Sequence, residues 1–140
     1  MSKQKADASS ALKNFMSAMF HWEESFHCEQ IKLIEIGLDT SESEAKYRAQ
    51  LAHIFESFSA PDQKGWARLV DLGCGSPPTY DPARDDIAAP VLSGNTYTIV
   101  VQQAARFKAT YQFHLKLLDG AYKIIKKETQ NGGKWKKTAL

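Results

Sequence analysis

Apolar side chains recur every three or four positions through the first part of the chain, which is the spacing of one face of a helix. This stripe consists of Leu12, Phe15, Met16, Met19, Trp22 and Phe26. Charged residues such as Lys13, Glu23 and Glu24 fall between its members. We therefore expect a helix that begins near residue 8 and continues through residues 31–34 until Gly37 stops it.

A second helix is predicted between residues 41 and 60. Ser41 and Glu44 have the spacing of a capping box, and Thr40 offers an alternative cap one residue earlier. The apolar positions of its buried face are Tyr47, Leu51, Ile54, Phe55 and Phe58. Pro61 closes the helical half, because proline cannot continue the hydrogen bonding of a helix.

From residue 66 onwards, apolar and polar side chains alternate, which predicts strands with one buried face. The predicted strands cover residues 66–72, 97–101, 107–117, 121–129 and 134–139. Tight turns are expected at Asp119 and Gly120 and at residues 131–133. The longest strand has six inward side chains: Phe107, Ala109, Tyr111, Phe113, Leu115 and Leu117. Tyr122 and Ile124 are expected on the same side of the next strand.

Helices followed by strands indicate an α+β domain. We expect a single domain over residues 1–140, with a helical part at about 8–60 and a sheet part at about 66–139. The proline-rich connection at 76–92 is expected to hold a short helix around 84–88. The first helix should pack across a curved, mostly antiparallel sheet, because its apolar stripe and the inward face of the longest strand each need a partner.

The length and composition of the chain are consistent with this fold. A length of 140 residues fits one domain, and no stretch reaches the ~18 apolar residues of a membrane span. The first ten residues are polar and do not resemble a signal peptide, so we expect a cytoplasmic protein. Cys28 and Cys74 are expected to be free thiols, as in a reducing compartment, with a disulfide between them left open.

Residues 70–75 imitate the loop with which many methyltransferases bind adenosylmethionine. That loop must lead into a helix, whose N-terminal N–H groups serve the ligand. Here Pro77 and Pro78 follow at once, and Asp81 with Pro82 adds a second helix-breaking signal. Since only about sixty residues remain, too few for a doubly wound sheet, we exclude this class of enzyme.

The sequence also contains residues typical of two other kinds of site. His21, Glu24, His27 and Cys28 lie close together on the first helix, but no other segment supplies the remaining ligands of a zinc site, so we expect no metal. The last twenty residues hold six lysines and one glutamate. With Tyr122 and Trp135 among them they could bind nucleic acid, yet alternating lysines also keep strand edges from pairing. We expect no direct nucleic-acid binding.

Several motifs in the second half resemble one family. They lie at residues 73–82, 85–87, 111–116, 119–124 and 133–137, with Leu140. Through them the chain resembles the bacterial immunity proteins of polymorphic toxin systems, which have the nuclear-transport-factor-two-like fold, a cone made by a curved sheet and a long helix. Asp86 and Ile87 fit the family pattern after the Tyr-Asp-Pro step, whereas Tyr122 stands where the family has Trp.

The resemblance implies a protein that is not an enzyme, needs no cofactor and neutralises one cognate toxin by stoichiometric binding. If so, the toxin acts in the cytoplasm. In enzymes of this fold a catalytic carboxylate or His lies in the mouth of the cone. Here the assigned inward positions are apolar or phenolic, and only Asp71 and Tyr80 could form a polar mouth. We therefore predict no catalytic residue, and the alternative is a small-molecule-binding or isomerase- or dehydratase-like member of the same fold.

The charge distribution suggests where a toxin would bind. Residues 21–62 contain nine acidic and three basic side chains, and such a surface would attract a basic partner. The acidic candidates include Glu29, Glu35 and Asp39. Our predicted partner-binding residues are Glu23, Glu24, Glu42, Glu44, Tyr80, Asp85 and Asp86. A homodimer remains open, since sheets of this kind often pair face to face.

Overall fold

The computed structural model describes residues 2–74, 77–105 and 107–140. Two long helices come first: α1 at Ser2–Glu35 and α2 at Ser41–Phe58. A 3₁₀ turn at Ala67–Leu69 opens the connection to the sheet. The strands are β1 at Asp86–Ile87, β2 at Val91–Ser93, β3 at Thr96–Gln102, β4 at Thr110–Leu118, β5 at Ala121–Asn131 and β6 at Lys134–Thr138. Neither helix has a segment both long and apolar enough to cross a bilayer in the described part of the chain.

The strands form one curved, antiparallel, unclosed sheet, and the two helices pack on it. The order is β1–β3–β4–β5–β6, with β2 also paired to β3 on the side of β1. Asp119 and Gly120 join β4 to β5 with φ angles of +51° and +83°, so the expected tight hairpin turn is confirmed. This is the α+β cone predicted from the sequence.

The core lies between α1 and the concave face of the sheet. All six predicted stripe positions of α1 are buried, and so are Tyr47, Leu51 and Phe55 of α2. The sheet contributes Ile99, Val101, Phe113, Leu115 and Ile124. Ile54 and Phe58 are half-buried and pack against this cluster. The helical period therefore identified the buried faces correctly.

The predicted inward face of residues 107–117 was wrong at both ends. Phe107 is 85% exposed and lies outside β4, which begins at Thr110, and Leu117 is 49% exposed. At the Phe107 end the cause is a chain reversal before the strand, where Lys108 has a φ of +51° and the N–H of Gln103 donates to the oxygen of Ala109. Alternation holds only where the backbone stays extended, so it could not extend through this turn.

Two further predicted elements were wrong. Residues 66–72 alternate like a strand, but Ala67–Leu69 form the 3₁₀ turn, in which the N–H of Leu69 donates to the oxygen of Trp66 and the N–H of Val70 donates to that of Ala67. The expected helix at 84–88 is a turn closed on the oxygen of Asp81, followed by β1. The glycine-containing step at residues 75 and 76 lies outside the described residues.

The start of α2 also differs from the prediction. Thr40, the alternative, is the N-cap residue, and its oxygen accepts the first helical hydrogen bond from Glu44. Ser41 is the first helical residue, so the predicted Ser41–Glu44 capping box was wrong. The carboxylate of Asp39 accepts from both the N–H and the hydroxyl of Ser41 instead.

Candidate functional site

The carboxylate of Glu23 is buried inside the cone, with 1% of the residue exposed. Residue 23 lies one helical turn after Met19, at the edge of the apolar stripe of α1. The N–H of Thr79 donates to Glu23 Oε2 at 2.6 Å, and the Thr79 hydroxyl donates to Oε1 at 2.9 Å. Arg68 Nη2 lies 3.4 Å from Oε1. These partners compensate the carboxylate for its lost hydration.

Arg68 connects three distant parts of the chain. Besides Glu23, its guanidinium donates to the oxygen of Gly73 at 2.7 Å and to the oxygen of Leu140 at 3.4 Å. Its Cζ lies 5.6 Å from the ring centre of Trp22. Arg68 lies in the 3₁₀ turn, so the region predicted as a strand supplies a half-buried cation to this cluster.

Lys127 is a buried cation, with 5% of the residue exposed, whereas Arg68 is half-buried. Its Nζ donates to the Tyr80 hydroxyl at 2.7 Å. Three aromatic rings surround the ammonium group, and we call these rings the aromatic cage. The distances from Nζ to the ring centres are 4.1 Å for Tyr111, 4.9 Å for Tyr80 and 5.9 Å for Phe113. The negative faces of such rings attract a cation.

Burial dominates the protonation behaviour of this pair. It lowers the pKa of Lys127 to about 7, with the charge of Arg68 acting in the same direction and that of Glu23 opposing it. Burial also raises the pKa of Tyr80 far above its usual range, so the phenol keeps its proton. The cage can therefore hold the lysine in either state near neutral pH.

A recess with a volume of about 300 Å³ opens beside these groups. Its lining includes Glu23, Arg68, Thr79 and Lys127, together with Gly73, Cys74, Ala139 and Leu140. A lysine with a pKa near 7 suits acid–base chemistry, and convergent polar groups suit a ligand. However, Glu23 already binds Thr79 and Arg68, and Lys127 already binds Tyr80. The polar groups of the recess thus satisfy one another.

The seven predicted partner-binding residues fall into separate places. Glu23 and Tyr80 are buried, so in this structure they offer a partner no surface. Asp85 is half-buried and accepts from the N–H groups of Asp81 and Ala104, which fastens the connection to the end of β3. The other four are Glu24, Glu42 and Asp86, which are exposed, and Glu44, which is half-buried in the first turn of α2.

The structure joins some predicted residues and separates others. Glu42 lines a recess of about 460 Å³ between the end of α1 and the start of α2, which Glu29 and Asp39 also line. Asp71, predicted with Tyr80 as a polar mouth, is exposed and is not among the residues that line the recess beside Lys127. Of that pair, only Tyr80 belongs to the interior cluster.

Sequence reasoning missed Lys127, and a β-bulge explains why. Leu115 pairs with Ile124 and His114 pairs with Lys126, so Ile125 is an extra residue in β5. The bulge shifts the alternation by one, which turns Lys127 to the buried side opposite Phe113. The adjacent apolar residues Ile124 and Ile125 break the strict alternation, and that break was the available signal.

Other candidate groups do not converge on a site. Within residues 2–74, 77–105 and 107–140, no three His, Cys, Asp or Glu side chains come together as metal ligands. Cys28 and Cys74 are free thiols. Among the six lysines of the last twenty residues, Lys126 pairs with Glu128 of the same strand and Lys137 pairs with Asp62. Lys123 donates to the oxygen of Ser57, and Lys127 donates to the hydroxyl of Tyr80. Carboxylates of the described structure thus pair with two of these lysines.

Comparison with known proteins identifies the family. The family described as NTF2 fold immunity protein matches residues 7–139, nearly the whole chain. The chain belongs to the NTF2-fold immunity proteins. A curated relative, "Immunity protein RhsIA" of Dickeya dadantii (strain 3937), is 26% identical over 121 residues, covering 86% of this chain and 85% of the relative. No solved structure matches significantly. This chain is thus an immunity protein of polymorphic toxin systems, and its general role is toxin immunity.

Proposed function

We propose that this NTF2-fold immunity protein protects its cell by binding one cognate toxin in a stoichiometric complex, without catalysis. The observation that carries the proposal is the family match over residues 7–139, because direct binding is the simplest way in which a member of an immunity family can counteract one toxin. The relative named as an immunity protein covers most of the same length and supports the same role.

The interior of the cone supports inhibition by binding. Its floor is packed with Phe15, Phe113 and Leu115, all without exposed surface. Its buried ionic groups already have partners within the fold, since Glu23 is bonded to Thr79 and Arg68, and Lys127 is bonded to Tyr80. An enzyme needs an acid or base positioned toward a substrate, whereas an inhibitor needs a rigid interior and a distinctive outer surface.

We place the complex in the bacterial cytoplasm as part of this proposal. The two thiols are free, which suits a reducing compartment. The toxin would then attack a cytoplasmic target. Fractionation of a host that expresses both proteins should recover the complex with cytoplasmic markers, and recovery with periplasmic markers would contradict this part.

The test is growth of a bacterial host that expresses the toxin-like reading frame adjacent to this gene. We expect the toxin alone to stop growth, and co-expression of this protein to restore it. The two proteins should also elute together from a sizing column in a one-to-one complex. A toxic neighbour whose effect is not relieved would contradict the proposed function.

One observation favours a second function, small-molecule binding in the recess beside Lys127. Its volume of about 300 Å³ and its charged lining fall within the range of ligand sites. A ligand that enters should raise the melting temperature of the wild-type protein but not of Lys127→Met. A panel of carboxylates and phosphates at millimolar concentration that shifts neither protein would remove this alternative.

A further inference from the structure

The end of α1 carries a group of exposed aliphatic side chains that the core does not explain. From His27 to Leu38 no residue is buried, although the segment is rich in isoleucine and leucine. Four of its side chains are largely exposed: Ile31 at 43%, Ile34 at 66%, Ile36 at 62% and Leu38 at 57%. Among the described residues ten large apolar side chains are exposed, and these four lie within eight positions of one another. Clustered exposure of this kind marks interaction surfaces.

A defined backbone motif fixes this surface. Gly37 has a φ of +73°, its N–H donates to Ile34, and the N–H of Leu38 donates to Leu33. These are the two hydrogen bonds of a Schellman motif. They bring Leu38 back beside Leu33 in the lining of the recess between the helices. The apolar side chains are therefore presented on an ordered helix end.

Carboxylates border the aliphatic group. Five acidic residues lie at positions 29, 35, 39, 42 and 44, against two lysines at 32 and 46, so the net charge between residues 29 and 46 is −3. Part of this charge is held within the fold, because Glu29 accepts from Ser43 and lies 3.7 Å from Lys46. Glu35, Asp39 and Glu42 are exposed.

This charge decides what kind of partner can cover the surface. In a symmetric dimer across it, the carboxylates of one copy would face those of the other, which is unfavourable. A basic partner with an apolar centre gains both from burial of the isoleucines and from attraction by the acidic rim. Complementary charge thus points to a different protein, rather than a second copy, as the occupant.

We propose that this α1 end surface, defined as Ile31, Ile34, Ile36 and Leu38 with Glu35, Asp39 and Glu42, is the docking site for the toxin, through a basic surface with an apolar centre. This inference rests on the proposed function and specifies its contact surface. It goes beyond the acidic candidates of the sequence, because the centre of the interface is aliphatic and the carboxylates form its rim.

The test compares two double variants for binding to the adjacent toxin, made catalytically inactive and immobilised. Ile34→Ser with Ile36→Ser removes apolar contacts from the proposed centre and should weaken binding by at least about 30-fold, mainly through faster dissociation. Val91→Ser with Leu92→Ser removes similarly exposed aliphatic groups, at 65% and 54%, from β2 and should bind as the wild type does. Circular dichroism verifies that both variants are folded.

A charge variant tests the rim. Glu35→Lys with Glu42→Lys should slow association by about tenfold at low salt, and the difference should shrink at high salt. If the wild-type protein binds the toxin and rescues growth while these variants behave like it, the docking proposal is overturned and the proposed function stands. If the wild-type protein neither binds nor rescues, the proposed function itself fails. Selective loss in the β2 variant would place the interface elsewhere.

Discussion

Lys127 lies where an ammonium ion loses nearly all its hydration, and its pKa in the folded protein is lowered to about 7. The ordinary value for lysine is 10.5, so between about pH 7 and 10.5 the unfolded chain binds more protons than the folded one. The free energy of unfolding must therefore rise with pH in this window, by at most about 1.4 kcal/mol per pH unit. Below pH 7 both states carry the proton, and the cost of burying the charge is fully present.

The variant Lys127→Met tests this protonation. Urea unfolding between pH 6 and 9 should show the wild-type protein gaining stability relative to the variant above pH 7. Methionine fills the aromatic cage without a titrating group, so the difference between the two curves isolates the lysine. Parallel curves over this range would mean that the ammonium group keeps its ordinary pKa.

Glu23 and Glu24 offer a matched pair of neighbouring carboxylates. Removal of Glu23 leaves Arg68 and Thr79 without their buried partner, so Glu23→Ala should destabilise the fold by about 3 kcal/mol. Glu24 is exposed on the same helix, and Glu24→Ala should change stability by less than about 0.5 kcal/mol. Urea denaturation measures the free energy of unfolding of both variants. Equal losses of stability would show that the buried contacts of Glu23 do not stabilise the fold more than an exposed carboxylate does.

For individual residues, the sequence predicted the burial of apolar side chains well and the burial of polar side chains poorly. Helical spacing located the α1 stripe because every third or fourth residue must face the sheet. Residue 23 lies one helical turn after Met19, yet its charge led to the expectation of an exposed side chain, and nothing in the spacing identifies Arg68 as its partner. A buried charge depends on a partner distant in sequence, and here 45 residues separate the two.

At the scale of the element, Gly37 determines how α1 ends. Its φ of +73° is a conformation that other residues adopt only with strain, although a Cβ there would meet no atom within 4 Å. Gly37→Ala should therefore cost about 1 kcal/mol of stability through the backbone alone. Gly73→Ala is the control, because a Cβ added at Gly73 would also meet no atom within 4 Å, while the φ of Gly73 is not positive. Thermal unfolding that shifts equally in both variants would refute the role of the Schellman motif.

The strands show where sequence patterns are insufficient. Residues 66–72 alternate for seven positions, yet no strand pairs with them in the described part of the chain, and local i→i+3 hydrogen bonds form around Arg68 instead. In β5 one extra residue reverses the alternation that residues 121–124 establish. Local periodicity reports which faces can be buried, while pairing with other strands decides which faces are buried.

At the scale of the molecule, one apolar cluster joins both helices to the sheet. We therefore predict that the chain unfolds as a single cooperative unit. Trp22 is buried, Trp66 is half-buried and Trp135 lies on the edge strand β6, so tryptophan fluorescence reports on widely separated regions. Fluorescence and far-ultraviolet circular dichroism should give coincident urea transitions. Separate transitions would show that the helical part and the sheet part are independent domains.

The general function could be predicted from the sequence because the motifs between residues 73 and 137 resemble the immunity family, and the family match confirms it. The toxin-binding surface could not be predicted in this way, because residues that contact a partner follow no regular spacing in the sequence. The acidic bias of residues 21–62 indicated a region, and only the structure separates the buried Glu23 from the exposed carboxylates near Ile34 and Ile36. That separation led to the docking proposal.

If immunity arises from stoichiometric binding, inhibition of the toxin must follow the amount of immunity protein added. The most direct test is titration of the purified toxin, at a concentration well above the dissociation constant, with increasing amounts of this protein while the activity of the toxin is measured. We predict a linear decrease of toxin activity that reaches zero at one molecule of immunity protein per toxin. Complete loss at a small fraction of that ratio would indicate catalytic inactivation, and undiminished activity at excess would show that the protein does not act on the toxin. Either result would contradict the account.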